Sequence, residues 1–365
     1  MTPLPRLRIR DLRVRGVLVP LRLPLQTSVG TVTTAPLALI DLFTDEGVTG
    51  STYLFCYTPL ALKPVMQMLA NLLPLMVGAA VAPADLDRKF QRQFRLLGNK
   101  GVVAMALAGL DMAAWDALAR AQAVPLVRLL GGTPRPIPAY NSCGLGIMGA
   151  QRVAAEAEQL ARAGLPAMKV RLGYDDATTD VQVVRAVRSA VGDGPLLMSD
   201  YNQALSVAEA KHRLAALAGE GLQWVEEPTL ADDHAGHAAL RRGSSVRIQM
   251  GENWWGPLEM AKCLAEGGSD LCMPDAMKIG GVTGWMRAAA LADSAGLPMS
   301  SHLFPEISAH LLAVTPTCHW LEYVDWADPI LQDTLRLEQG HALANDSPGT
   351  GIAWDEDAVA RYLAP

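Results

Sequence analysis

From Pro136 to Glu322 the chain repeats one pattern, and that repeat constrains the fold more than any other feature. A short apolar run is followed by a loop and then by a stretch with helical spacing. The runs are Ile137 to Tyr140, Ala167 to Arg171, Leu196 to Asp200, Leu222 to Glu226, Ile248 to Glu252, Leu271 to Asp275, Pro298 to His302 and His319 to Glu322. Helical stretches between them include Gln151 to Ala163, Asp180 to Val191, Val207 to Ala218 and Gly284 to Ala295. Eight such units, at roughly 25–30 residues each, predict an α/β chain with a (β/α)8-type barrel. Several runs are apolar without alternation, which suits a parallel sheet covered by helices. An open doubly wound sheet is the alternative, but no G-x-G-x-x-G follows any run.

Residues 1–128 read as an N-terminal α+β capping domain. One strand ends near Pro20, a second covers Leu37 to Phe43, and a third runs from Val48 to Leu54 after the Asp45-Glu46-Gly47 turn. Helices are expected over Pro59 to Val77, Ala84 to Leu97 and Val102 to Ala121. Residues 21–34 show no regular pattern; Gly30 and several threonines make them a mobile lid. The barrel is expected over 129–329, and 330–365 as a C-terminal segment packing back on the capping domain.

Composition narrows the partners. At 365 residues the chain can build two full cores. A net charge of −6 gives no basic footprint for nucleic acid or an anionic membrane surface. The cysteines (Cys56, Cys143, Cys263, Cys272, Cys318) are odd in number and lack C-x-x-C spacing, so they read as buried thiols in a reducing compartment. The Arg-rich start, Arg6 to Arg15, alternates with period two and slips phase at Arg10-Asp11, a bulged strand and not a targeting peptide. The apolar run Leu69 to Val81 is broken by Asn71 and Pro74 and falls short of the roughly 20 residues a bilayer span needs. These features predict a cytoplasmic protein without membrane or nucleic-acid partners.

The chemistry lies at the ends of the runs. Asp200, Glu226, Glu252, Asp275, His302 and Glu322 each close one, and barrel sites are assembled at that face. Neighbouring strands lie about 4.8 Å apart, so Asp200, Glu226 and Glu252 can surround one ion. An all-oxygen set favours Mg²⁺, then Mn²⁺, over zinc. Glu227 points the other way on its strand and reads as a supporting partner. Asp275 beside His302 can fix the imidazole tautomer and leave the other nitrogen free to take a proton. His234 and His237 fall in a polar loop and helix start and read as surface. Lys169 and Arg171 project together from their strand, a costly arrangement unless something anionic faces them. No G-x-S-x-G elbow or P-loop competes. A metal, a base and opposed cations imply proton abstraction next to a substrate carboxylate, with the metal and Lys169 stabilising the enolate.

Taken together the motifs resemble the enolase superfamily, specifically its mandelate racemase subgroup, over nearly the whole chain. The resemblance is carried by Thr27 to Val32, Asp200-Tyr201-Asn202-Gln203, Val225-Glu226-Glu227-Pro228, Met250 to Trp254, Met273 to Gly281, Ser300 to Phe304 and His319 to Glu322. It is closer to the racemase that names the subgroup than to the sugar-acid dehydratases. It implies Asp200, Glu226 and Glu252 as Mg²⁺ ligands and His302, oriented by Asp275, as the base on the (R) face of a 2-hydroxy acid. Glu322 becomes a protonated acid bonded to the substrate carboxylate. Lys169 and Ser142 serve that carboxylate, and Asn202 the hydroxyl. Lys278 matches the lysine region of the muconate-cycloisomerase branch, but the Asp/His dyad decides against that branch. The resemblance also implies a symmetric homo-oligomer, up to an octamer.

One position departs from the subgroup. Where the racemase has a second base lysine, this chain has Arg171. Arginine holds its proton up to about 12.5–13.8, whereas a catalytic lysine can be tuned to roughly 7–8. Proton transfer on the (S) face is therefore expected to be slow, or Arg171 to bind an anion only. Three functions stay open: a racemase of mandelate-like acids, a sugar-acid dehydratase using His302 alone, and a catalytically weak metal- and ligand-binding protein. Leu25, Val29 and Val32, with Phe55 and Tyr57, form an apolar wall suited to an aryl group and ill suited to a polyol.

Overall fold

The computed structural model describes residues 7–365; Arg6, the start of the alternating N-terminal pattern, lies outside them. Three antiparallel strands open the chain in the order β1 (Ile9–Thr27), β2 (Gly30–Thr44) and β3 (Thr49–Phe55). The register of β1 on β2 shifts between Ile9 and Asp11, the bulge that the phase slip predicts. The lid differs from expectation. Residues 21–34 are not irregular; they form the outer part of the β1–β2 hairpin, with Leu25 opposite Val32 and Thr27 opposite Gly30. Pro20 and Pro24 mask this in the sequence, because proline cannot donate to a ladder. A second register shift between Pro20 and Leu25 absorbs them.

Helices α1 (Pro59–Leu72), α2 (Pro83–Gln93) and α3 (Gly101–Ala121) complete the capping unit. By length and composition α3 is apolar enough to cross a membrane, yet it is a mostly buried core helix. Its contact with β3 requires Gly50, since a Cβ there would stand 2.0 Å from the Ala113 carbonyl oxygen.

A short α4 (Leu126–Leu129) leads into the barrel: β4 (Ile137–Asn141), α5 (Ala150–Ala161), β5 (Ala167–Arg171), α6 (Ala177–Val191), β6 (Leu196–Asp200), α7 (Val207–Leu217), β7 (Leu222–Glu226), α8 (His234–Gly243), β8 (Ile248–Met250), α9 (Pro257–Glu266) and β9 (Leu271–Cys272). Then come α10 (Gly281–Ala295), α11 (Pro305–Ala313) and β10 (Leu321–Tyr323). Strands β4 to β9 run parallel in sequence order, and β10 pairs with β4 to close the ring. The expected strand Pro298 to His302 is present only as isolated parallel bridges, Cys272 to Met299, Asp275 to His302 and Met299 to Cys318.

Two strands end early. Gly251 adopts φ +141°, and a Cβ there would lie 2.7 Å from the Met273 backbone; Pro274 offers no N–H to extend β9. Glu252 and Asp275 consequently stand on the loops just beyond their strands. The tail forms a hairpin, β11 (Arg336–Glu338) and β12 (His341–Leu343), whose second strand pairs antiparallel with β4. It then runs through α12 (Glu356–Arg361) beside the capping unit. The Trp354 indole donates to Asp41 Oδ1 at 2.7 Å, and Leu363 bridges Val17.

Candidate active site

At the C-terminal mouth of the barrel, β6, β7 and the loop after β8 bring Asp200, Glu226 and Glu252 together. One carboxylate oxygen from each lies within 4.8 Å of the others, and all three residues are buried. Burial drives Asp200 and Glu226 above the usual carboxylate range; Lys169 opposes the rise and the neighbouring carboxylates add to it. Burial also disfavours the Glu252 carboxylate, but the His302 imidazole outweighs it and holds Glu252 well below that range. Three buried, oxygen-only donors crowded around one point fit a hard dication of the Mg²⁺ type. Glu227 takes φ +32°, which ends the strand alternation. Its Oε2 accepts from Asn253 Nδ2 at 2.6 Å, and burial followed by Glu252 pushes it up to about 8.

His302 faces this trio. Its Nδ1 lies 2.7 Å from Asp275 Oδ2, and Asp275 also accepts from the backbone N–H groups of Met277 and Lys278. A carboxylate can only accept, so the Nδ1 proton is fixed toward Asp275. The His302 Nε2 lies 3.1 Å from Glu252 Oε2 and 3.9 Å from Glu322 Oε2. Burial lowers the affinity of this imidazole for a proton, but Glu252 and Glu322 outweigh it and hold it well above its ordinary value.

Lys169 sits between the trio and Glu322. Its Nζ is 2.9 Å from both Glu226 oxygens, 2.7 Å from Glu322 Oε1 and 3.7 Å from Asp200 Oδ2. Burial alone would strip its proton; Glu226 and Glu322 reverse that and raise it well above the ordinary lysine range. Glu322, the acid that the resemblance implies, is pulled in two directions here. Burial favours the neutral acid, yet Lys169 and His302 bring Glu322 down to about 2. Ser142 Oγ at 2.7 Å and the Leu303 N–H at 2.8 Å also donate to it.

Arg171 is pinned. Its Nη1 donates to the carbonyls of Ser142 at 3.0 Å and Gly144 at 3.2 Å, and its Nη2 donates to Ser142 Oγ at 2.8 Å. Ser142 is fully buried between Arg171 and Glu322.

The cavity, about 260 Å³, is roofed by Leu25, Thr27, Val29 and Val32 of the hairpin and walled by Phe55, Tyr57 and Trp326. Lys169, Arg171, Asp200, Asn202, Glu252, His302 and Glu322 form its floor. Val29, at the hairpin tip, is 86% exposed and reaches only the rim. The hairpin is docked on the barrel: the Ile147 N–H donates to the Gln26 carbonyl at 2.8 Å, and Arg22 pairs with Asp325 at 2.9 Å. Asn202 Nδ2 donates to Asp200 Oδ2 at 2.8 Å, leaving its buried Oδ1 without a partner.

Gln203, Asn253 and Lys278, which the sequence reading places in motifs without a role at the site, and Trp326, which it does not single out, also line the cavity. They lie in irregular loops where periodicity is silent, although Gln203, Asn253 and Lys278 follow strand-end residues closely enough to share their mouth. His234 and His237 are buried, not surface residues. Both fall on the inner face of α8 with Ala238, at a helical spacing the sequence displays. All five cysteines are free thiols, four of them buried.

Comparison with known proteins agrees with this geometry. Residues 9–131 match the N-terminal domain of the mandelate racemase / muconate lactonizing enzyme family, and residues 152–358 match its enolase C-terminal domain-like partner. The crystal structure of an enolase from Bradyrhizobium, complexed with magnesium and mandelic acid, is 44% identical with a TM-score of 0.94, covering 100% of both chains. An enolase from alpha proteobacterium bal199 with bound Mg is 45% identical with a TM-score of 0.96, over 98% of this chain and 100% of the other. The L-talarate/galactarate dehydratase of Salmonella typhimurium is 29% identical over 281 residues, 76% of this chain and 70% of the dehydratase.

Proposed function

The chain belongs to the mandelate racemase / muconate lactonizing enzyme family of the enolase superfamily, and within it we propose an enzyme that removes the α-proton of a mandelate-like 2-hydroxy acid, a racemase-type reaction with one strong base. Asp200, Glu226 and Glu252 would hold the Mg²⁺ on which the superfamily depends; when bound, it supplies charge that stabilises an enolate. Lys169 sets its ammonium beside the substrate carboxylate. The unpartnered Asn202 Oδ1 accepts a hydrogen bond from the α-hydroxyl. Asp275 holds the His302 tautomer, and with the Glu252 carboxylate engaged by the ion instead of by His302, a neutral Nε2 would receive the α-proton from the (R) face.

One observation carries this reading: the His302–Asp275 dyad opposes the buried carboxylate trio beneath an aliphatic and aromatic wall. Mandelic acid bound by the 44%-identical Bradyrhizobium protein supports the substrate class. On the opposite face Arg171 offers donors and no free lone pair. Exchange at the (R) face should therefore outrun interconversion of the enantiomers. Sugar-acid dehydration is the second reading, favoured by that pinned Arg171, since His302 alone could serve both proton transfers. The apolar wall disfavours it, because buried substrate hydroxyls would lack partners.

The test is proton NMR in D₂O with Mg²⁺ and each mandelate enantiomer supplied separately. The (R) acid should exchange its α-proton, and His302→Asn should abolish that exchange. The (S) acid should exchange slowly, and Arg171→Lys should accelerate it. No exchange from either enantiomer, with a 2-keto-3-deoxy product from a sugar acid, would overturn the reading.

A further inference from the structure

The aromatic wall of the cavity is an ordered row. Trp326 packs on Phe55 with ring centroids 4.9 Å apart, Phe55 packs on Tyr57 at 4.8 Å, and Lys278 Nζ lies 4.3 Å from the Tyr57 ring centre. The row begins near the Glu322 strand and ends in a cation on the Asp275 loop. Lys278 is 5% exposed and lines the cavity.

Its hydrogen bonding is incomplete. An ammonium has three donors, and Nζ finds one acceptor, the Asn253 side-chain carbonyl. It makes no ion pair within 4.0 Å among the described residues. Asn253 is itself held in place, its amide nitrogen donating to Glu227 Oε2 at 2.6 Å and Glu252 Oε1 at 3.0 Å. Tyr57 takes φ +57°, a left-handed conformation that an aromatic residue rarely adopts. These neighbours aim the cation; Glu227 and Glu252 feel its charge, yet neither carboxylate pairs with it directly. A buried cation with unmet donors is unfavourable until a ligand supplies an acceptor.

We propose that Lys278 is a specificity-determining residue that binds an acceptor, a carboxylate or hydroxyl oxygen, on the end of the substrate remote from the α-carbon. The aromatic row selects an arene to carry that group, so the preferred ligand is a ring-substituted mandelate and not the bare ring. This assignment rests on the α-proton reading above and refines its substrate. A second carboxylate on a sugar diacid would offer the same chemistry from another source, but its hydroxylated chain would lie against Leu25, Val32 and Phe55.

Calorimetric titration of the Mg²⁺-loaded protein with mandelate, 4-hydroxymandelate, 3- and 4-carboxymandelate and galactarate tests the proposal. In the wild type, at least one ring-substituted acid should bind tenfold or more tightly than mandelate. That ratio should fall to within threefold in Lys278→Met and recover in part in Lys278→Arg. Wild-type binding that ignores the ring substituent overturns the proposal without recourse to a variant, as does a preference that survives in Lys278→Met. Tighter binding of galactarate than of every substituted arene overturns the arene assignment. Failure of the underlying reaction reads differently: the binding preference would be present, but no α-proton would exchange in D₂O.

Discussion

At the scale of single residues, the exchange of a lysine-type base for Arg171 redirects the site more than its conserved charge implies. A lysine presents one nitrogen on a flexible stem; arginine presents a planar fork. Here the fork takes the Ser142 carbonyl on Nη1 and the Ser142 hydroxyl on Nη2. Because that hydroxyl accepts from Arg171, its own hydrogen is free for Glu322 Oε1 at 2.7 Å. Arg171 therefore acts through Ser142 on Glu322, a carboxylate that lines the cavity. Ser142→Ala removes one donor from Glu322 and one acceptor from Arg171. A hydrogen bond to a charged group contributes about 1.5–3 kcal/mol, so kcat should fall roughly tenfold to a hundredfold. Mg²⁺ affinity should stay the same, because Ser142 touches none of the trio. An unaltered kcat would show that Glu322 needs no such support.

Among the secondary-structure elements, what could be read from sequence depended on whether periodicity reached the residue. Ala167–Arg171, Leu196–Asp200 and Leu222–Glu226 are both expected and observed, because each run is short, apolar and ends in an ionisable group. Past those ends the signal stops. Gly251 and Pro274 shorten β8 and β9, and Lys278 and Trp326 occupy loops with no repeat to place them. The hairpin lid is the reverse case. Leu21, Leu23 and Leu25 alternate as a strand should, but two prolines break the pattern that the register shift accommodates. Its docking depends on Gly146, where a Cβ would stand 2.6 Å from the Gln26 carbonyl oxygen and 2.7 Å from its nitrogen. Gly146→Ala should therefore hold the hairpin off the barrel and lose the Ile147 N–H to Gln26 bond. KM should rise several-fold for mandelate-like acids while Mg²⁺ affinity is retained. An unchanged KM would mean that substrate binding does not require the docked hairpin.

Across the whole molecule, the capping unit and the barrel are joined by buried polar contacts as well as by apolar packing. Trp115 Nε1 donates to Thr283 Oγ1 at 2.9 Å, and the Tyr53 hydroxyl donates to Glu306 Oε2 at 2.6 Å. Glu306, in the first turn of α11, is buried with its Oε1 unpartnered, and burial raises it from 4.5 to about 7 despite the Tyr53 hydrogen bond. The folded protein thus binds this proton more tightly than the unfolded chain does. Between pH 4.5 and 7 the native state carries the extra proton, so stability from this group is complete below pH 4.5 and is lost as pH rises through 7. A shift of that size corresponds to about 3 kcal/mol. Asp111, also pushed to about 7 by burial, contributes a slope of the same sign, so the informative quantity is the difference between wild type and Glu306→Gln. Glutamine cannot ionise and can still accept from Tyr53. The variant should match the wild type in chemical denaturation at pH 5 and exceed its stability by about 3 kcal/mol at pH 8. Stability curves that run parallel across this range would show that Glu306 does not carry a proton across the interface between the two units.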